Sequence, residues 1–329
     1  MGLAILHSND SPHMSSISTF AASQRERRTF SGLLSAALLL TASLLSAPLQ
    51  AQEKTLDTAF GPVKVKADPQ RVITLDEGAL DTVLALDMQP VGSVAARGGK
   101  DLPDYLQPHA KNVAIVGATR EPNLEAILSQ RPDLILAPPG LEKRVYDILS
   151  KIAPTVVSTV PTTAPWQERN ALYAAALGKE EAFKERLAKV ETHIASLRDR
   201  VESGQTFSVV RWNPQGPMAM SSQLITGQIL TALGLKSTDI AAGLGERPHS
   251  DILSLENLGA VDADWLFMAT LNAQGEATLA AARQQSAFTR LNAVRNDRAI
   301  PVDGQVWSSA TGILAAEYIL NDIEKILVK

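Results

Sequence analysis

The chain has 329 residues, a formal charge of −4, 45% hydrophobic and 5% aromatic side chains, and no cysteine. Its length allows one large domain or two medium ones, with enough apolar content for a packed core. The slight acidity and the lack of a basic, aromatic-studded tract exclude a nucleic-acid binder; the missing thiols exclude disulfides, thiolate metal sites and a cysteine nucleophile.

Residues 1–51 have the layout of an export signal. Arg25, Arg27 and Arg28 form a basic region, an uncharged run covers 30–49, and Leu49-Gln50-Ala51 ends on a small residue suited to cleavage. Arg27-Arg28-Thr29-Phe30 is similar to the twin-arginine export motif, with Glu26 in place of the usual hydroxyl residue. With no cysteine to carry a lipid, the exported product is expected to be soluble, unlipidated and periplasmic.

From 52 to 162, short apolar runs alternate with helical stretches. Strands are predicted over 71–75, 90–95, 113–116, 134–137 and 155–158, and helices begin after Asp76-Glu77-Gly78 and at Leu124. Residues 163–178, TAPWQERNALYAAALG, read as a connecting helix. Thr163 suits an N-cap, Pro165 is tolerated in a first turn, Trp166, Asn170, Tyr173 and Leu177 form one stripe, and Gly178 is a stop. A second helix is predicted over 179–202, followed by strands at 207–212, 218–221, 265–269 and 299–302, a helix at 227–233 and an amphipathic final helix over 312–327. Strands alternating with helices at this pace imply parallel sheets covered on both faces.

The segments flanking the connector repeat each other. Leu124-Glu125 and Leu255-Glu256 each precede an aspartate, Asp133 or Asp264, eight residues after the glutamate, and a continuous apolar strand follows each. Repetition of this kind suggests two similar lobes, 52–162 and 179–329, joined at 163–178.

No phosphate-binding loop, GxGxxG, GxSxG or HExxH is present. His109, His193 and His249 lie far apart in sequence, and no metal-ligating or catalytic constellation stands out. In open parallel sheets, ligands bind beyond the carboxyl ends of strands. Arg97, Arg120 and Arg211 fall at or just past such ends, Trp212 is beside Arg211, and Trp307 follows the last strand. Arginine offers a fork of donors for oxyanions and tryptophan a stacking face, so the set predicts a cleft for an anionic, partly planar or greasy ligand.

Taken together, these residues resemble the iron-siderophore branch of the periplasmic binding proteins that serve ABC importers, the ferric dicitrate and ferric hydroxamate binders. The most specific pieces are Asp68-Pro-Gln-Arg-Val-Ile, Val116-Gly-Ala-Thr-Arg-Glu-Pro-Asn-Leu-Glu-Ala-Ile, Arg131-Pro-Asp-Leu-Ile-Leu-Ala and Val302-Asp-Gly-Gln-Val-Trp-Ser-Ser-Ala-Thr-Gly-Ile-Leu-Ala-Ala-Glu. The resemblance implies an α/β fold of two Rossmann-like lobes with mostly parallel sheets joined by a single long α-helix, acting as a monomer. It implies capture of a ferric siderophore, of hydroxamate, citrate or mixed type, without covalent chemistry, a protein-held metal or a cofactor. Expected ligand contacts are Arg97, Arg120, Arg211, Trp212, Trp307, Ser308, Ser309 and Glu77, with Arg247 a further candidate. Glu125 and Glu256 match the positions that dock on permease arginines in relatives. Thr119 stands where relatives carry an arginine, and Ser308 and Ser309 stand where the ferric dicitrate binder has arginines, which points to a less cationic cleft. Haem or cobalamin capture, with Tyr105, Tyr146 or a histidine as axial ligand, is the alternative; a periplasmic hydrolase of the chelator is a third reading.

Overall fold

A computed structural model describes residues 53–328; the export segment predicted over 1–51 lies outside them. The described chain opens with an antiparallel hairpin, β1 (Glu53–Thr58) and β2 (Gly61–Lys66), which the sequence reading did not anticipate. Leu56 and Val63 pack one face of it on the core.

The first main sheet contains β3 (Val72–Thr74), β4 (Gly92–Ala95), β5 (Ala114–Ala118), β6 (Glu121–Pro122), β7 (Leu134–Ala137) and β8 (Thr155–Val157). Their spatial order is β6-β5-β4-β3-β7-β8, all parallel except the short edge strand β6. The five predicted strands all appear within a few residues of their expected bounds. Helices α1 (Glu77–Ala85), α2 (Leu124–Ser129) and α3 (Lys143–Ile152) alternate with the strands, as parallel pairing requires a crossover.

Two helices lead to the second sheet, as the sequence predicts. α4 (Trp166–Leu177) and α5 (Glu180–Arg198) are separated by Gly178, whose φ of 70° ends the first helix. A Cβ at Gly178 would collide with the Ala67 carbonyl oxygen, so chain direction and packing both select glycine there. Pro165, not Thr163, occupies the N-cap position. α4 sits on the first lobe, where Tyr173 Oη lies 2.9 Å from the Ala137 carbonyl and 3.2 Å from Asp76 Oδ2.

The second sheet is built from β9 (Thr206–Asn213), β10 (Gly216–Ala219), β11 (Lys236–Ser237), β12 (Trp265–Thr270) and β13 (Ala299–Asp303). Its order is β10-β9-β12-β13 with β11 beside β9; β10 alone is antiparallel. Helices α6 (Ile225–Ala232), α7 (Ala273–Ala282), α8 (Gly304–Ser308) and α9 (Ile313–Leu327) cover it together with shorter turns.

The internal repeat has a structural counterpart. Asp133, just before β7, accepts the backbone N–H groups of Gln70 and Arg71 at 3.1 and 2.8 Å, pinning the start of the neighbouring β3. Asp264, just before β12, accepts the Thr206 N–H at 2.7 Å and pins the start of β9 in the same way. Between the sheets the apolar interior is continuous: Leu80, Val83 and Leu134 belong to the same cluster as Phe207, Trp307, Ile313 and Ile319. Among the described residues no helix is long and apolar enough to cross a membrane.

Gly178→Ala is expected to lower the unfolding free energy by roughly 2 kcal/mol through left-handed strain and the forced shift at Ala67. Urea denaturation would read this as a lower midpoint; an unchanged midpoint would mean that the α4–α5 break is not held by this contact.

Candidate ligand-binding cleft

The carboxyl ends of the parallel strands in both sheets open toward one seam, and the loops leaving them carry the polar side chains. A cavity of about 180 Å³ is lined by Arg97, Arg120, Arg169, Arg211, Trp166 and His249 together with the 307–311 segment. It shares Arg97, Arg120, Thr162, Arg169, Ser309 and Thr311 with a recess of about 530 Å³ that extends past Thr119 toward Arg144. The two form one cleft, within the size range of small-molecule sites.

Each arginine reaches the cleft from a different element. Arg97 follows β4 and Arg120 follows β5, as the strand-end rule predicts. Arg211 lies within β9, one turn of the pleat before its end. Its Nε donates to Ser308 Oγ at 2.9 Å, and its Nη2 donates to the Ser308 carbonyl and to Ser309 Oγ at 3.1 Å. Those two serines therefore aim the guanidinium. Burial first and repulsion from Arg97 second lower the Arg211 pKa to about 10, against the opposing pull of Glu77. It stays protonated at neutral pH, at close quarters with a like charge from the other lobe.

Arg169 was missed by the sequence reading. It lies on α4, is only 6% exposed, and its Nε is buried without a partner. The signal was available: Trp166, Arg169, Asn170 and Tyr173 share the buried stripe of the helix, and a charge on such a stripe needs a reason. Among the described residues, none of Arg97, Arg120, Arg169 and Arg211 forms a salt bridge, whereas Arg144 pairs with Glu142 at 3.6 Å.

Other expected contacts are placed differently. Trp212 does not face the cleft; successive strand residues point to opposite faces, so with Arg211 inward Trp212 packs edge-on against Phe288 in a separate core cluster. Trp307 touches the cavity but is 1% exposed, its ring 4.6 Å from Phe267 and its indole N–H donated to Asp322 at 3.2 Å, so it has no open stacking face. Glu77 is buried behind the site and accepts the Arg97 backbone N–H at 2.7 Å. Burial raises its pKa against that hydrogen bond and the pull of Arg97. Arg247 is on the surface near Asp251, at 3.8 Å, while the adjacent His249 lines the cavity. Tyr105 is buried with its hydroxyl on Asp81, and Tyr146 stacks on Phe60; neither lines the cleft. Glu125 and Glu256 are both exposed, in the first turns of α2 and of the 3₁₀ segment Leu255–Val261.

Two α/β lobes around a cationic cleft define the class, a two-lobed binding protein. The chain belongs to the periplasmic binding protein family, whose model matches residues 72–306. It is 32% identical over 287 residues to the probable siderophore-binding lipoprotein YfiY of Bacillus subtilis, covering 84% of this chain and 88% of that one. It is 28% identical over 289 residues to the Fe(3+) dicitrate-binding periplasmic protein FecB of Escherichia coli, covering 87% and 94%. Among solved structures, SirA of Staphylococcus aureus complexed with staphyloferrin B superposes with a TM-score of 0.75 at 26% identity, covering 84% of this chain and 99% of that one.

Because Arg169 is buried with an unpartnered Nε, replacing it with a methionine of similar volume should leave the empty protein at least as stable, by up to about 1 kcal/mol. The same change should weaken an anionic ligand by about tenfold or more. Thermal unfolding and a binding titration on Arg169→Met check the two halves; a large fall in Tm would assign Arg169 to the fold instead.

Proposed function

We propose that this chain captures a ferric chelate between its two lobes and delivers it to the permease of an ABC importer. The observation that carries the reading is the convergence of Arg97, Arg120, Arg169 and Arg211 on one cleft, with none of them in a salt bridge among the described residues. Held together in a partly dry site they repel each other, and an anion that bridges both lobes relieves that repulsion. Arg169 offsets the arginine missing at Thr119, so the cleft favours a chelate with free carboxylates, of citrate or mixed citrate-hydroxamate type. The relative named above as an Fe(3+) dicitrate-binding protein supports that direction.

The iron is cargo and keeps the oxygens of its chelator. Among the described residues no cluster of three or more His, Cys, Asp or Glu side chains is set to hold a metal ion. The protein performs no covalent step on this reading; binding and release are its chemistry. With no cysteine in the sequence to carry a lipid, the reading extends to an unlipidated periplasmic protein acting as a monomer. The domain division follows the same logic: lobes at 52–162 and 179–329 with α4 between them.

Tryptophan fluorescence titration with ferric citrate, a ferric trihydroxamate and haem, with iron-free citrate as control, tests the ligand class. Saturable quenching by ferric citrate, lost in Arg169→Met and in Arg120→Ala, is the expected result. Quenching by haem alone, with a shifted Soret band, would move the assignment to haem capture; no response to any ferric chelate would reject it.

Docking is tested separately. Glu125→Arg combined with Glu256→Arg should bind the chelate as the wild type does yet fail to support iron uptake in cells, because each reversed charge would face permease arginines. Normal uptake by that variant would remove the two glutamates from the interface.

A further inference from the structure

The final helix α9 begins without a local cap. Its N-cap is Gly312, which has no side chain to accept the free N–H groups of the first turn. Those groups are satisfied from the other lobe. Asp81, on α1 and 0% exposed, accepts the Leu314 N–H at 3.0 Å through Oδ1 and the Ala315 N–H at 2.8 Å through Oδ2. Tyr105 Oη donates to the same Oδ2 at 3.2 Å. Space for the contact is made by glycines on both sides: a Cβ at Gly312 would collide with the Asp81 carboxylate, and one at Gly78 would collide with the Thr311 methyl group. The residues just before this helix, Ser308, Ser309 and Thr311, line the cleft, and the two serines aim Arg211.

We propose that Asp81 is a positioning residue for the cleft: by capping a helix of the opposite lobe, it holds the 308–312 loop, and Arg211 with it, at the distance from Arg97 that the ligand requires. The consequence for affinity rests on the ferric-chelate reading above; the clamp itself does not. The ionisable groups around Asp81 are Tyr105, Glu317 on α9, and Glu77 and Asp76 at the start of its own helix; Tyr173 of α4 bonds to Asp76.

The clamp carries a pH dependence with a defined sign. Burial raises the Asp81 pKa to about 7; the Ala315 and Leu314 amides and the Tyr105 hydroxyl oppose the rise, and Glu317 adds to it. When the contact opens, the carboxyl meets water and returns toward its ordinary value near 3.9. A group whose pKa is higher in the closed state favours closure at low pH, and that preference is lost as pH rises through about 7. The clamp is therefore tightest on the acid side, loosens as pH rises toward about 7, and is loosest above it.

Hydrogen exchange on the ligand-free protein, corrected for intrinsic rates and followed over residues 310–320 from about pH 6 to about pH 8, tests this directly. Wild-type protection should fall as pH rises. In Asp81→Asn, of nearly the same size, an amide NH₂ must face one of the two N–H donors; protection there should start about tenfold lower and stay flat with pH. Ferric citrate should bind that variant about tenfold more weakly. Tyr105→Phe keeps both backbone bonds, so it should retain affinity and move the pH midpoint upward, since the lost hydroxyl favoured the charged carboxylate. Unchanged protection over 310–320 in Asp81→Asn, or an equal loss over 265–270, would overturn the clamp. If ferric citrate does not bind the wild type, the ligand assignment falls while the exchange pattern still decides the clamp.

Discussion

Like charges held close together in a narrow cleft are the condition that the surrounding structure has to meet. Arg97 and Arg211 come from different sheets and repel, Arg169 is buried with an unpartnered nitrogen, and among the described residues no salt bridge neutralises any of the three. Left free, such side chains would swing into solvent. What holds them is polar but uncharged or remote: the Ser308 and Ser309 hydroxyls on Arg211, and the buried Glu77 carboxylate gripping the backbone of Arg97 instead of its guanidinium. Pairing the arginines directly with carboxylates would quench the site; Glu77 sits behind it, and Asp76 and Glu142, which line the recess, form no salt bridge with Arg97, Arg120, Arg169 or Arg211 among the described residues.

That arrangement requires rigid lobes and a defined spacing between them. The continuous apolar interior provides part of it, since the two sheets share a core and cannot separate without exposing Phe207, Trp307 and Ile313. The Asp81 contact provides the rest, at the point where the cleft loop becomes a helix. Aspartate serves twice more as a backbone clamp, at Asp133 and Asp264, where each carboxylate sets the start of a central strand. A site built this way is largely preformed, and an incoming anion meets donors already in place.

Much of this was legible from residue order. Strand positions in both lobes follow from apolar runs bounded by turn residues, and β7, predicted over 134–137, has those bounds in the structure. Arg97 and Arg120, singled out by the rule that ligands sit beyond the carboxyl ends of parallel strands, both line the cavity. Trp212 failed because proximity in sequence to Arg211 was read as proximity in space; the pleat sends neighbours to opposite faces. Arg169 was passed over because the stripe on its helix was read for apolar residues, and the charge on that stripe was not counted. Ser308, Ser309 and Glu77 belong to the site in a supporting role, which their spacing along the chain could not reveal.

Sequence by itself determined the local elements, the internal repeat, the family and the cationic character of the ligand groups, because these depend on periodicity, turn chemistry and short motifs. Tertiary structure alone decided which arginines converge, that Trp307 is core, and that Asp81 caps a helix far along the chain. The physical reason is that burial and hydrogen-bond partnership are set by the packing of distant segments. A carboxylate on α1 acquires its role only when a helix that begins more than two hundred residues later is laid against it.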